Sequence, residues 1–288
     1  VAGSLVLIDK QPGWTSHDVV AKLRGIMGTR KIGHAGTLDP MATGLLVLGV
    51  DSGTKLLQFI SGSDKRYSAT IRLGQATHTD DAEGEIVFSA DASHLGEADI
   101  QSQIALLRGD ISQVPSSVSA IKVDGKRSYD LVRQGHEVEL KSRPVTIFDF
   151  HLTSNIRHDS GLIEFDVEVH CSSGTYIRAL ARDIGVALGV GGHLRALRRT
   201  QIGNFDVKDA SVLDGDIHPL SLVDAAREVF PLIELNANQA RDVVHGKRIS
   251  AGSSGTFAGL WQGDLLAILE PAGSQHKSMV VFPEVFSA

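Results

Sequence analysis

The chain has 288 residues, 42% hydrophobic and 22% charged, a balance that excludes wholesale disorder and supplies about two domains' worth of core. Its single cysteine, Cys171, excludes an internal disulfide and a cysteine-rich zinc site, and the longest apolar run, Leu45–Val50, is too short to span a bilayer. The formal charge of −6 is uneven: residues 76–100 carry seven acids and no Lys or Arg, and residues 209–234 carry six acids against Arg227, which leaves +6 elsewhere and allows a basic face.

In chain order, Ser4–Asp9 reads as a short strand, and Asp9, Lys10 and Pro12 interrupt that early apolar stretch, so no secretory signal is expected and a cytoplasmic setting is. After the Pro12-Gly13 turn, Ser16 is the candidate N-cap of a helix running through Met27. Leu45–Val50 has the composition of a buried strand, and Lys55–Ile60 places Leu56, Leu57 and Ile60 on one side of a helix. Two later strands alternate cleanly. In Tyr67–Leu73 the residues Tyr67, Ala69, Ile71 and Leu73 share a face, and in Ile163–Cys171 the apolar set is Ile163, Phe165, Val167, Val169 and Cys171. From Thr175 the period changes, with Ile177, Leu180, Ala181, Ile184 and Leu188 at helical spacing up to Gly189. Near Val229–Pro231 the character shifts to one short helix, Asn238–His245, and glycine-punctuated apolar runs. Strands and helices are interspersed without a βαβ rhythm, so the expectation is a mixed-sheet α+β domain over 1–229 and a small β-rich domain over 230–288.

The densest oddity is Gly33-His34-Ala35-Gly36-Thr37-Leu38-Asp39-Pro40-Met41-Ala42-Thr43-Gly44. Three glycines permit unusual backbone angles and close ligand approach, while Pro40 biases Asp39 towards extended geometry, so its carboxylate projects from a loop. A phosphate-cradling P-loop would end in Gly-Lys-Ser/Thr, and here Leu45 and Leu46 follow Gly44. No further His or Cys stands at metal-ligand spacing, so no metal is expected. An Asx-turn accounts for Asp-Pro alone but not for twelve specified residues.

Gly33–Leu46 closely resembles the signature of the TruB-type tRNA pseudouridine synthases. The likeness continues in Lys65-Arg66-Tyr67, Leu73-Gly74, Thr79-Asp80-Asp81-Ala82-Glu83-Gly84, Gln113-Val114-Pro115 and Ser119-Ala120-Ile121-Lys122. It resumes at Gly174-Thr175-Tyr176-Ile177-Arg178 and Leu197-Arg198-Arg199-Thr200, so the blocks span roughly residues 4–205 in the family's order. The resemblance implies a mainly antiparallel sheet flanked by helices, an RNA-clasping insertion at about 114–143, and a C-terminal module loosely similar to a PUA domain. It implies an enzyme that isomerises the T-loop uridine at position 55 of tRNA, acting on the tRNA T stem-loop as a monomer, with no cofactor, metal or membrane. Val118 departs from the family, which often has an aromatic before Ser-Ala.

By the same likeness Asp39 is the essential carboxylate, a residue type that can attack carbon, remove a proton or stabilise oxocarbenium character at C1′. The uridine must leave its stack to meet it. Tyr67 and Tyr176 are then implied to line the pocket, Arg178 to pair with the carboxylate, Leu197 to lie against the base, and His34 to contact RNA in the vacated space. Read by pattern alone, Tyr67 and Leu197 are core residues, Arg178 a helix-surface arginine and His34 a turn residue. Arg30, Lys31, Arg195, Arg198 and Arg199 form basic clusters suited to phosphates, or simply solvated charge. Two other classes compete: a non-catalytic tRNA-binding or RNA-folding protein, and a small-molecule hydrolase, for which Asp39 lacks a carboxylate partner because Asp80 and Asp81 sit in the acidic segment.

Overall fold

The computed structural model describes residues 3–116 and 140–286, with the backbone of Lys122–Val123 and Lys126–Arg127 between them. The chain packs into two compact units, one of Val1–Pro40, Gly44–Gly62 and Ile202–Ala288, the other of Met41–Thr43 and Ser63–Gln201.

The first unit begins with β1 (Ser4–Lys10), α1 (Ser16–Met27), β2 (Ile32–His34), β3 (Thr43–Val50) and, after a 3-10 turn, α2 (Leu57–Ser61). β3 pairs antiparallel with β1, from Ser4 opposite Val50 to Lys10 opposite Gly44, and with β2 on its other edge. Its continuous apolar run follows from burial on both faces. Leu45 and Val47 join Leu5 and Leu7 in one core cluster, whereas Leu46, Leu48 and Val50 join Val6 and Ile8 in another, closed by Val19, Val20 and Leu23 of α1. The helix starts at Ser16 itself, so its cap lies one residue earlier than expected. Thr15 is the N-cap: its hydroxyl accepts the Asp18 amide at 3.1 Å while the Asp18 carboxylate accepts the Thr15 amide at 2.8 Å. The reciprocal box needs an acid three residues on, which Thr15 has; the Ser16 hydroxyl is buried and turned to other work.

The second unit holds β4 (Lys65–Leu73), the hairpin β5 (Gln75–Thr77) and β6 (Ile86–Ser89), α3 (Glu97–Leu106), β7 (Gly109–Gln113), the short β8 (Lys122–Val123) and β9 (Lys126–Arg127), β10 (Arg143–Leu152), β11 (Arg157–Asp159), β12 (Leu162–Cys171), α4 (Ile177–Ala187) and β13 (Gly192–Ile202). The sheet runs β13-β4-β12-β10-β7, with β4, β12, β10 and β7 successively antiparallel. The two alternating strands have the expected inward faces: Tyr67, Ala69, Ile71 and Leu73 are buried, as are Ile163, Phe165, Val167, Val169 and Cys171. β13 escaped the hydropathy pattern because its centre, Arg195 and Ala196, is exposed and carries no apolar alternation. Most of the expected insertion at about 114–143 lies outside the described residues, together with Val118 and the Ser119–Ile121 block.

The chain then returns to the first unit with β14 (Phe205–Asp206), β15 (Leu220–Ser221), α5 (Leu222–Arg227), β16 (Leu232–Glu234), α6 (Ala237–Val244), β17 (Phe257–Trp261), β18 (Asp264–Ala272) and β19 (Gln275–Val281). The last strands form a four-stranded sheet, β16-β17-β18-β19, parallel only between β16 and β17. One face packs α6 through Ala240 and Val243 against Phe257, Leu266 and Leu269. Ala258, Leu265, Ile268 and Phe282 fall in the same cluster as Leu5, Leu7, Leu45 and Val47, so the tail shares a core with β1 and β3. Lys55 ties them further, donating to the Val281 carbonyl at 2.8 Å with its ammonium over the Phe282 ring. The mixed α+β class with mainly antiparallel sheet is the architecture observed. Among the described residues no helix is long and apolar enough to cross a membrane.

Candidate active site

Within the first unit, the signature loop is held on both sides of Asp39. The buried Ser16 hydroxyl accepts the Leu38 amide at 2.9 Å and lies 3.2 Å from the Leu38 carbonyl. The Pro40 carbonyl accepts the Gly13 amide at 2.9 Å and the Lys10 ammonium at 3.2 Å. Lys10, itself 1% exposed, also donates to the carbonyls of Gln11 and Trp14. A buried ammonium surrounded by three carbonyls is a strong tether, because its desolvation is met by oriented dipoles. The peptides before and after Asp39 are thus fixed while the residue itself is only partly buried.

Two loop glycines use angles closed to other residues, Gly36 at φ 91° and Gly44 at φ 99°. Gly33 instead serves close packing, since a Cβ there would lie 3.2 Å from Leu57 Cδ1. His34 ends β2 opposite Leu48, and its half-buried ring stands edge-on to His17 with centroids 5.8 Å apart. Arg30 and Lys31 are exposed immediately before that strand.

Within the second unit, Tyr67 projects from β4 and is 8% exposed. Tyr176 is the N-cap of α4, and Arg178 is 4% exposed in its first turn. Arg178 is no surface arginine. Its guanidinium donates to the Thr79 carbonyl at 2.8 Å and lies 3.4 Å from the Asp81 carboxylate, which is equally buried. Asp81 in turn accepts from the Thr79 hydroxyl and, at 3.1 Å, from the Glu83 amide. One helical turn on, Arg182 pairs with Asp80 at 3.1 Å and donates to the Val114 carbonyl at 2.7 Å. Asp80 adopts φ 61°, left-handed backbone that aspartate tolerates better than most residues.

The sequence grouped Asp80 and Asp81 with a solvated acidic run; here they are counterions of two α4 arginines spaced four apart. Ser16 and Lys10 were missed as loop clamps, because nothing local links them to Leu38 and Pro40, 22 and 30 positions away.

Leu197 on β13 is buried, and its carbonyl accepts the Thr43 hydroxyl at 3.5 Å, four residues after Asp39. The strand divides the three expected basic residues. Arg195 is exposed and 3.3 Å from Glu164, Arg198 is half-buried, and Arg199 is 1% exposed, so the guanidinium of Arg199 is interior instead of belonging to a solvated cluster. Lys65, also buried, has its ammonium pushed down to about 8 by desolvation and then by the Arg199 charge. Burial likewise pushes the Cys171 thiol up to about 11, leaving it an unreactive core group.

Among the described residues no group of three or more His, Cys, Asp or Glu could hold a metal ion. A groove of about 830 Å³ lined by Glu97, Gln101, Arg108, His151 and Ser154 contains none of the expected site residues.

Residues 24–177 match the N-terminal domain of the TruB family pseudouridylate synthases, residues 178–217 the tRNA pseudouridylate synthase B C-terminal domain, and residues 230–283 the C-terminal module of tRNA pseudouridine synthase II. The tRNA pseudouridine synthase B of Mycobacteroides abscessus is 53% identical over 283 residues, covering 96% of this chain and 95% of its own. That of Paenarthrobacter aurescens is 50% identical over 293 residues, covering 96% and 94%. A crystallised Cbf5-Nop10-Gar1 complex contains a chain of the same fold, with TM-score 0.67 and 24% identity over 97% of this chain and 84% of that one.

Proposed function

The chain belongs to the TruB family of pseudouridylate synthases, and from that premise we propose that it converts the T-loop uridine at position 55 of tRNA to pseudouridine, with Asp39 as the essential carboxylate. It is an enzyme that isomerises uridine in tRNA. The isomerisation conserves composition: the C1′–N1 bond breaks, a C1′–C5 bond forms, C5 gives up its hydrogen and N1 takes one. It calls for an anionic group at the anomeric region, a grip on the freed base and exclusion of water.

What carries the assignment to Asp39 is the clamped Leu38–Asp39–Pro40 segment, whose flanking peptides are immobilised while Asp39 itself is only partly buried. Such pre-organisation suits a group that must meet one carbon of a flipped nucleotide. In this reading Tyr67, Tyr176 and Leu197 hold the extruded base, and Arg178, fixed by Asp81 and the Thr79 carbonyl, supplies the positive charge that the acid chemistry needs. His34 contacts the RNA, and the exposed Arg30, Lys31 and Arg195, with the half-buried Arg198, serve its phosphates.

The test is release of tritium from tRNA labelled at uridine C5, with the modified position mapped. Wild type releases label from the T-loop uridine; Asp39→Asn keeps size and polarity, abolishes release and leaves tRNA binding largely intact. Near-normal turnover by Asp39→Asn would reject the assignment, and binding without release by wild type would favour a non-catalytic tRNA-binding protein.

A further inference from the structure

The Tyr176 side chain makes no capping hydrogen bond at the start of α4, while its backbone amide and carbonyl are both bonded. The Gln113 side chain, 2% exposed at the end of β7, spans its peptide like a strand neighbour. Gln113 Oε1 accepts the Tyr176 amide at 2.8 Å, and Gln113 Nε2 donates to the Tyr176 carbonyl at 3.1 Å. That carbonyl also accepts the Ala179 amide at 3.1 Å and lies 3.4 Å from the Leu180 amide. The two bonds settle the amide's orientation, since only the nitrogen can donate to a carbonyl.

A glutamine used in this way fixes both dihedrals of one residue, φ −101° and ψ 107° at Tyr176, and hence the direction of its Cα–Cβ bond. The lever is itself anchored. Gln113 stands opposite Arg143 in the β7–β10 ladder, and the next carbonyl, Val114, accepts Arg182, whose other nitrogen holds Asp80. A purely structural role for this amide would be served by any turn of α4 that needs a cap; here both bonds fall on the one residue assigned to the base.

We propose that Gln113 is a positioning residue for Tyr176, holding the tyrosine where it meets the flipped base. The inference rests on the reading that Tyr176 touches that base. Gln113→Met keeps an unbranched side chain of similar volume and removes both hydrogen bonds. It is expected to lower kcat for tritium release by about 10- to 100-fold, the scale on which a misplacement of about 1 Å acts, with KM changed less than about threefold.

The same assay takes Tyr176→Ala and the double variant, with the melting temperature of each. Support is a loss of kcat in Gln113→Met that adds nothing when Tyr176 is already alanine. Wild-type kcat in Gln113→Met, or losses that multiply in the double variant, would overturn the positioning role while the pocket reading stood. Wild-type kcat in Tyr176→Ala would instead defeat the pocket reading. Should Gln113→Met fail to fold, Gln113→Asn decides the matter: the amide survives but ends one methylene short, and an unchanged kcat refutes the proposal.

Discussion

Removing either member of the Arg178–Asp81 pair should cost the protein more than any surface charge would. Both side chains are about 95% buried, and the closest nitrogen–oxygen separation is 3.4 Å. At an effective dielectric of about 20 that distance corresponds to an attraction of roughly 5 kcal/mol, offset by the desolvation of both ions. The net worth of the pair is therefore smaller than its attraction, but deleting the arginine leaves the Asp81 carboxylate buried without its guanidinium. For Arg178→Met the stranded group is the Asp81 carboxylate, left with the Thr79 hydroxyl and Glu83 amide as donors.

The expected loss is about 3–5 kcal/mol, which at roughly 2–4 °C per kcal/mol lowers the melting temperature by about 6–20 °C. Asp81→Asn should also destabilise, because it removes the carboxylate charge 3.4 Å from the buried Arg178 guanidinium. The double variant Arg178→Met/Asp81→Asn should recover about 1–3 kcal/mol relative to the sum of the two. Thermal melts followed by circular dichroism at pH 7, with the four proteins compared at equal concentration, measure all three quantities. A single variant melting within about 2 °C of wild type, or strictly additive losses, would refute the view of these residues as a buried, mutually dependent pair.

The glycines of the first unit give opposite expectations. Gly53→Ala would set a Cβ 2.1 Å from the Ser4 carbonyl oxygen and should destabilise by about 3 kcal/mol or more in urea unfolding, whereas Gly25→Ala on α1, with open space around its Cβ, should stabilise by about 0.5–1 kcal/mol. Lys65 titrates near 8 in the folded chain against 10.5 when unfolded, so between those values the unfolded state binds more protons and stability rises with pH. Below pH 8 the full burial cost of about 3 kcal/mol is present, and by pH 9.5 about 2 kcal/mol of it is relieved. Wild type should accordingly gain on Lys65→Met between pH 7 and pH 9.5 in urea midpoints; a constant difference would contradict the depressed ammonium.

Periodicity made the alternating strands around Tyr67 and Val167 and the helix from Ile177 legible, because each buries one face of a regular repeat and the repeat is local. The loop Gly33–Gly44 was legible for a different reason, as a longer run of small and conformationally special residues than a plain turn requires, and it carried the family likeness with it. Tertiary structure alone decided what the charges do. Arg178 and Arg182 became partners of Asp81 and Asp80, Arg199 went inside, Ser16 gave up capping to hold Leu38, and Gln113 reached the Tyr176 peptide. Hydrophobic burial is written in the chain by spacing, whereas a polar side chain's partner is whichever group the folded backbone brings within about 3 Å, often from tens of residues away.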